Sequence, residues 1–200
     1  MKKLPLVIVI ILLFSVNVGA QEIINTSSFL NSIGYLNVVG EIENTSSNSL
    51  EYGQIIASFL DTEGNVVDTS MTYTNIDVIK PGAVVPFKVN VKNNEKIKQY
   101  SLQFQANQTN NKRRNIEIVN NSSNVNSINY LEISGQVKNN TSESQEYVQI
   151  VGTFYDENGV VVDVGITYSS VDVLQPGGTS PFKLTIKNRE EITDYKLQVQ

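Results

Sequence analysis

Residues 54–68 read Gln-Ile-Ile-Ala-Ser-Phe-Leu-Asp-Thr-Glu-Gly-Asn-Val-Val-Asp, and residues 149–163 read Gln-Ile-Val-Gly-Thr-Phe-Tyr-Asp-Glu-Asn-Gly-Val-Val-Val-Asp. Each stretch is followed by Pro-Gly (81–82 and 176–177) and then by Pro-Phe-Lys (86–88 and 181–183). The match extends in both directions. With Glu22 set on Glu117 (117 − 22 = 95), the halves run without a gap to Gln105 and Gln200, and about half of the paired positions are identical. The chain is an internal duplication, and each copy has a length suited to one small domain.

Within each copy the apolar residues recur at every second position, the mark of half-buried strands. Leu36, Val38, Gly40 and Ile42 alternate with Asn37, Glu41 and Glu43, and Leu131, Ile133, Gly135 and Val137 repeat the pattern. Ile55, Ala57 and Phe59 form the next inward row, matched by Ile150, Gly152 and Phe154. Asp61 to Gly64 and Asp156 to Gly159 reverse the chain, since Asp bonds its own backbone in a turn and Gly accepts positive φ. The return strand is expected to bury Val67, Met71 and Tyr73 in one copy, and Val162, Val164, Ile166 and Tyr168 in the other. Phe87, Val89 and Val91 alternate with Lys88, Asn90 and Lys92, and Tyr100, Leu102 and Phe104 close the copy; the second does the same. With short strands at 22–25 and 75–79, each copy has six or seven strands and no helical period. The expected fold class is all-β: two tandem immunoglobulin-like β-sandwich domains after an N-terminal signal segment. The boundaries expected are a signal at 1–20, repeat 1 at 21–105, a linker at 106–116 and repeat 2 at 117–200.

Met1-Lys2-Lys3 is a short basic start, an apolar run covers 4–16, and Asn17-Val18-Gly19-Ala20 offers small residues for cleavage. That is a secretory layout. An uncleaved anchor is the alternative, although the run is short of the ~20 residues that a span requires. Cleavage before Gln21 takes the net charge from −5 to −7 by removing two lysines. The expected location is secreted, or on the outer side of the cell envelope, with no membrane span after signal removal.

Composition narrows the chemistry. There is no Cys and no His. The common zinc and copper ligands, the thiol nucleophile and the usual neutral-pH base are therefore missing. A mildly acidic, dispersed charge argues against nucleic acid as a partner. No cofactor is implied.

The chain resembles the FxLYD-type extracellular repeat, a relative of the immunoglobulin-like adhesion modules of bacterial and archaeal surface proteins. The residues carrying the resemblance are Phe59-Leu60-Asp61 and Phe154-Tyr155-Asp156, the Gly64 to Val67 and Gly159 to Val162 turns, and the Pro-Gly and Pro-Phe pairs. The family's leading Phe falls on Ala57 and Gly152, and its Leu on Phe59 and Phe154. The resemblance implies a cell-surface β-sandwich without catalysis, and it carries over no site residues.

Four features are candidates for chemistry. Asn-x-Ser/Thr sequons stand at Asn25, Asn44, Asn107, Asn120, Asn121, Asn139 and Asn140. Of these, Asn25, Asn44, Asn107, Asn120 and Asn139 are the candidate N-glycosylation sites; the alternative is that Asn and Ser are turn formers. The Asp-x-Glu/Asn-Gly turns resemble the start of a calcium loop but run straight into a strand, which favours a plain hairpin. Tyr35, Tyr52, Tyr73 and Tyr100 recur as Tyr130, Tyr147, Tyr168 and Tyr195. Packing at the core or rim is favoured over an exposed binding row, and Tyr155 is either exposed or buried where a second layer crosses. Lys112-Arg113-Arg114 is a solvated linker, a binding patch or a protease site. The function expected is an exported non-catalytic spacer or adhesion module whose partner is an envelope protein or glycan. The alternative is a carbohydrate- or peptide-binding surface protein, and an Asp/Glu-only enzyme comes third.

Overall fold

The computed structural model describes residues 9–10 and 21–200; the leader expected at 1–20 lies, apart from Val9–Ile10, outside the described residues. The protein is all-β, and no helix occurs among the described residues. The first copy comprises β2 (Gln21–Leu30), β3 (Tyr35–Asn44), β4 (Ser49–Leu60), β5 (Val66–Tyr73), β6 (Val78–Ile79), β7 (Val84–Lys92) and β8 (Gln99–Thr109), with β1 (Val9–Ile10) laid parallel on β8. Two antiparallel sheets result, ordered β2-β3-β7 and β8-β4-β5, with β6 also on β4. The second copy comprises β9 (Ile116–Val125), β10 (Tyr130–Asn139), β11 (Gln145–Glu146), β12 (Gln149–Tyr155), β13 (Val161–Tyr168), β14 (Val173–Leu174), β15 (Thr179–Lys187) and β16 (Asp194–Val199). Its sheets, β9-β10-β15 and β16-β12-β13, repeat the order, and a short β11-β14 ladder stands apart.

The alternation puts Leu36, Val38, Ile42, Ile55, Phe59, Phe87 and Tyr100 between the sheets of the first copy. Ile133, Val137, Ile150, Phe154, Phe182 and Leu184 fill the second. The return strand departs from the sequence reading. Met71, Tyr73, Ile166 and Tyr168 face solvent, while Val162 and Val164 are buried and Val67 is half-buried. A register shift between Phe59 and Leu60, and between Phe154 and Tyr155, accounts for it. One extra residue on a strand moves every later side chain of that strand to the opposite face. Thr72 and Ser70 therefore stand opposite the inward Ile55 and Ala57.

The first strand is longer than the expected 22–25. Its middle, Asn25 to Ser28, hides the period because the ladder breaks between Ile24 and Ser27, where Asn25 takes φ +53.

The first core does not end at the first copy. Val151, Val161 and Val164 belong to it, with Tyr155 packed alongside. The outer face of β16-β12-β13 lies on the outer face of β2-β3-β7, which is why β3 is buried along both faces whereas β10 is buried along only one. Asn37 and Glu41, read as outward residues, do point out of the first sandwich but into this seam.

Candidate functional site

Two regions bring chemically distinctive groups together: the seam between the copies, and a cleft beside it.

At the seam, Tyr155 Oη donates to Glu41 Oε1 at 2.6 Å, and Asn25 Nδ2 donates to Glu41 Oε2 at 3.0 Å. Burial first, and then the adjacent carboxylate, push the Tyr155 phenol above its ordinary pKa. Lys88 Nζ meets Asp163 Oδ1 at 2.7 Å and the Val164 carbonyl at 3.3 Å. Ser27 Oγ donates to the Val161 carbonyl. The Arg189 guanidinium lies 4.0 Å from the centre of the Phe29 ring, with Lys88 at 5.4 Å. Five of the groups named here have altered chemistry at their counterparts 95 positions away: Glu41 corresponds to Gln136, Phe29 to Asn124, Tyr155 to Leu60, Arg189 to Asn94 and Val164 to Thr69; in the same seam buried Val39 corresponds to Ser134, and Val151 to another aliphatic residue, Ile56. Lys88/Lys183 and Asp163/Asp68 are kept.

The cleft begins with a bulge in β4. Glu51 pairs with Asn107 and Gln54 with Gln105, so the ladder is interrupted at Tyr52 and Gly53. Gly53 packs so closely on Thr74 and Phe104 that a Cβ would come within 3.0 Å of both. Tyr52 takes φ +54 and is turned outward, 67% exposed. For an L-residue that backbone costs about 1 kcal/mol or more. The second copy repeats it: Tyr147 has φ +51 and is 73% exposed. Tyr73, also exposed, stands opposite Gln54, whose Nε2 approaches Met71 Sδ at 3.1 Å and Tyr73 Oη at 3.5 Å.

Tyr52 and Tyr73 line a cleft of about 640 Å³ together with Glu51, Asp77, the basic run 112–114 and Gln200. A second depression of about 770 Å³ lies against the same two rings, on the side of Gln105 and Asn107. The linker is part of the construction. Strand β8 runs on to Thr109 and β9 starts at Ile116, leaving 110–115 as the connection. Arg113 is half-buried, and its Nη2 and Nε donate to the Val199 carbonyl at 2.6 and 3.2 Å; burial lowers its pKa. Arg114 Nη1 donates to the Glu146 carbonyl at 3.0 Å. The two arginines thus tie the connection to the second copy, and only Lys112 of the three is fully exposed. Glu51 Oε2 accepts from Asn111 Nδ2 at 2.7 Å, and the Asp77 backbone N–H donates to Gln200 Oε1 at 2.6 Å. First copy, connection and end of the second copy therefore meet here.

The tyrosines are divided differently from the sequence reading. Tyr100 is buried in the first core and Tyr195 is partly buried against the second, but Tyr35, Tyr52, Tyr73, Tyr130, Tyr147 and Tyr168 are exposed. Tyr155 is half-buried under the crossing layer.

The sequons also separate. Asn44 and Asn139 are fully buried. Asn44 Nδ2 donates to the carbonyls of Asn48 and Ile79 at 2.8 and 2.9 Å, and Asn139 Nδ2 to those of Glu143 and Leu174 at the same distances. Each Oδ1 accepts from the backbone N–H and hydroxyl of the residue two positions on, Ser46 or Thr141. The Asn-x-Ser/Thr spacing at these two positions is an internal turn lock, and a sugar on that nitrogen would displace two bonds inside the fold. Asn25, Asn107 and Asn120 are exposed.

At the hairpins, Asp61 Oδ1 accepts from the Glu63 and Asn65 backbone N–H groups, both at 2.9 Å, and Asp156 Oδ1 accepts from Asn158 and Val160 in the same way. Gly64 and Gly159 take φ +86 and +77. The Asn65 backbone bond is the main cause holding the Asp61 carboxyl below its ordinary pKa. These carboxylates close turns. Among the described residues no cluster of three or more acidic side chains is placed to hold a metal ion.

No family model matches the chain, and no curated protein matches it. Among solved structures, the exo-chitosanase CsxA of Amycolatopsis orientalis aligns over 88% of this chain and 25% of its own, at 9% identity and a TM-score of 0.30. Red sea bream transglutaminase aligns over 90% of this chain and 29% of its own, at 6% identity and a TM-score of 0.28. The chain spans about a quarter of the length of these proteins, and the likeness is too weak to carry an argument about fold detail or activity.

Proposed function

We propose that the chain is an exported, non-catalytic module of the cell envelope, of the immunoglobulin-like FxLYD kind, that holds two β-sandwiches in a fixed relation as a spacer or adhesion unit. The observation carrying this reading is the seam. A charge pair, a carboxylate-bound phenol and a shared apolar cluster join the copies, so that the surface of one is set with respect to the other. The basic, then apolar, then small-residue start supports export. The lack of Cys and His, with the hairpin carboxylates engaged by backbone, supports a non-catalytic role.

The test expresses the chain from Met1 in a host with a secretory pathway. The medium and envelope fractions are assayed, and the exported protein is then digested with a trypsin-like protease. The expected result is export and slow cleavage at 112–114, because two of those three basic side chains are tied down. Retention in the cytosol, or turnover of a substrate by the purified protein, refutes the proposal. The exposed tyrosine pair favours a second reading, carbohydrate or peptide binding at the first copy.

A further inference from the structure

The face carrying Tyr52 and Tyr73 has a twin whose occupant is visible. In the second copy, the outer face of β16-β12-β13 is used for docking, and Val151, Val161 and Val164 enter the first core. Among the described residues no element covers the equivalent face of the first copy: Val66 is 61% exposed where its counterpart Val161 is buried. A second copy of the chain is a poor fit for it. The surface that would receive it, the outer side of β9-β10-β15, has Asn124, Ser134 and Gln136 where the first copy has Phe29, Val39 and Glu41. The approaching face would bring Leu60 and Asn94 in place of Tyr155 and Arg189, so neither the phenol–carboxylate bond nor the guanidinium over an aromatic ring can form.

We propose instead that the Tyr52–Tyr73 cleft binds neutral carbohydrate. Three observations converge. First, Tyr52 holds a strained backbone and gains no burial in return, and its partner position in the other copy is again an exposed Tyr. Strain that leaves the side chain itself exposed is a reason to look for a ligand. Second, aromatic rings offer apolar faces to the C–H faces of pyranose rings, and the cleft volume of about 640 Å³ suits a short oligosaccharide. Third, the polar lining holds both signs. Glu51 and Asp77 can accept from hydroxyls, and Lys112 and Arg114 can donate to them, so no single sign of charge selects an ionic ligand. The exported reading affects only where such a ligand is met; the cleft is testable without it.

The protein, expressed from Met1 and purified as the cell delivers it, is applied to an array of neutral plant, fungal, bacterial and animal oligosaccharides beside sulfated and uronic ones. The best neutral hit is then titrated by calorimetry. Saturable binding is expected, weakened at least tenfold by Tyr52→Ala and by Tyr73→Ala and changed less than twofold by Tyr147→Ala. Tyr52→Asn, which suits positive φ, is expected to melt at or above the parent temperature while losing the ligand to the same degree. Retention of no neutral glycan overturns the proposal. So does retention of acidic glycans only, released by salt, which would assign the site to the basic run. Equal loss from Tyr147→Ala, or loss in Tyr52→Asn only through unfolding, also overturns it. Export and the seam would stand in each case.

Discussion

Replacing Tyr155 by Phe removes one oxygen from the seam and leaves the ring in place. Glu41 is 2% exposed and accepts two bonds, from Tyr155 at 2.6 Å and from Asn25 at 3.0 Å. A hydrogen bond to a charged acceptor contributes about 1.5–3 kcal/mol, and a buried oxygen left short of a donor is costly. The expected loss is about 2 kcal/mol. For a chain of this size that lowers the melting temperature by roughly 4–8 °C. Glu41→Gln, which installs the residue that the second copy has at Gln136, should cost a similar amount. Because both changes act on the same bond, which the amide oxygen of Glu41→Gln accepts without charge, the double variant should fall short of the sum by about 1 kcal/mol. Urea unfolding followed by tyrosine fluorescence and circular dichroism measures all four proteins. A Tyr155→Phe loss under about 0.5 kcal/mol, or strict additivity, would refute the account of the seam. So would two well-separated transitions of which only one responds.

Three further outcomes are expected. Asn44→Ala and Asn139→Ala should each destabilise by about 2–4 kcal/mol, since each removes a fully buried amide that donates to two backbone carbonyls and accepts from its own turn; chemical denaturation checks this, and near-neutral values would return both positions to the pool of modifiable sequons. Gly135→Ala should cost about 2–3 kcal/mol, because its Cβ would sit 2.3 Å from the Asn120 carbonyl oxygen, a backbone atom with little room to retreat; a melting temperature equal to the parent's would contradict this. The Asp61 hairpin is acid-sensitive in a definite sense. Its folded carboxyl titrates below the ordinary 3.8, so its stabilisation is complete above that value and is lost as pH falls through the lower folded one. Asp61→Asn keeps an acceptor oxygen without the titration, and its unfolding midpoint should vary less with pH below about 4 than the parent's.

The strand content, the duplication and most inward rows are legible in the residues, because period-two alternation and turn chemistry are local. Phe59, Phe87 and Tyr100 are examples. The exposure of Met71 and Tyr73 is not legible, since it depends on a single bulge beside Leu60 that the local pattern does not mark. The outward tyrosines share that origin. Tyr52 points out because of a positive φ where the β4–β8 ladder breaks, and Tyr147 repeats it with Val148 in place of Gly53, so no local residue pattern marks it. The seam leaves a faint trace that could have been found. Where the copies agree they describe the shared sandwich. Where they part company in chemistry, at Phe29/Asn124, Glu41/Gln136, Leu60/Tyr155 and Asn94/Arg189, they mark the surfaces that differ in neighbours. The role of Asn44 was hidden by a motif with a stronger competing meaning.

The 110–115 connection reaches at most about 20 Å when fully drawn out. Should a pull or a passing fluctuation part the joined faces, neither half can drift away, and each stays at a high effective concentration for the other. With no Cys anywhere in the chain, no disulfide bridges that joint. The two faces can part and close again unaided, since only non-covalent contacts need to re-form between them.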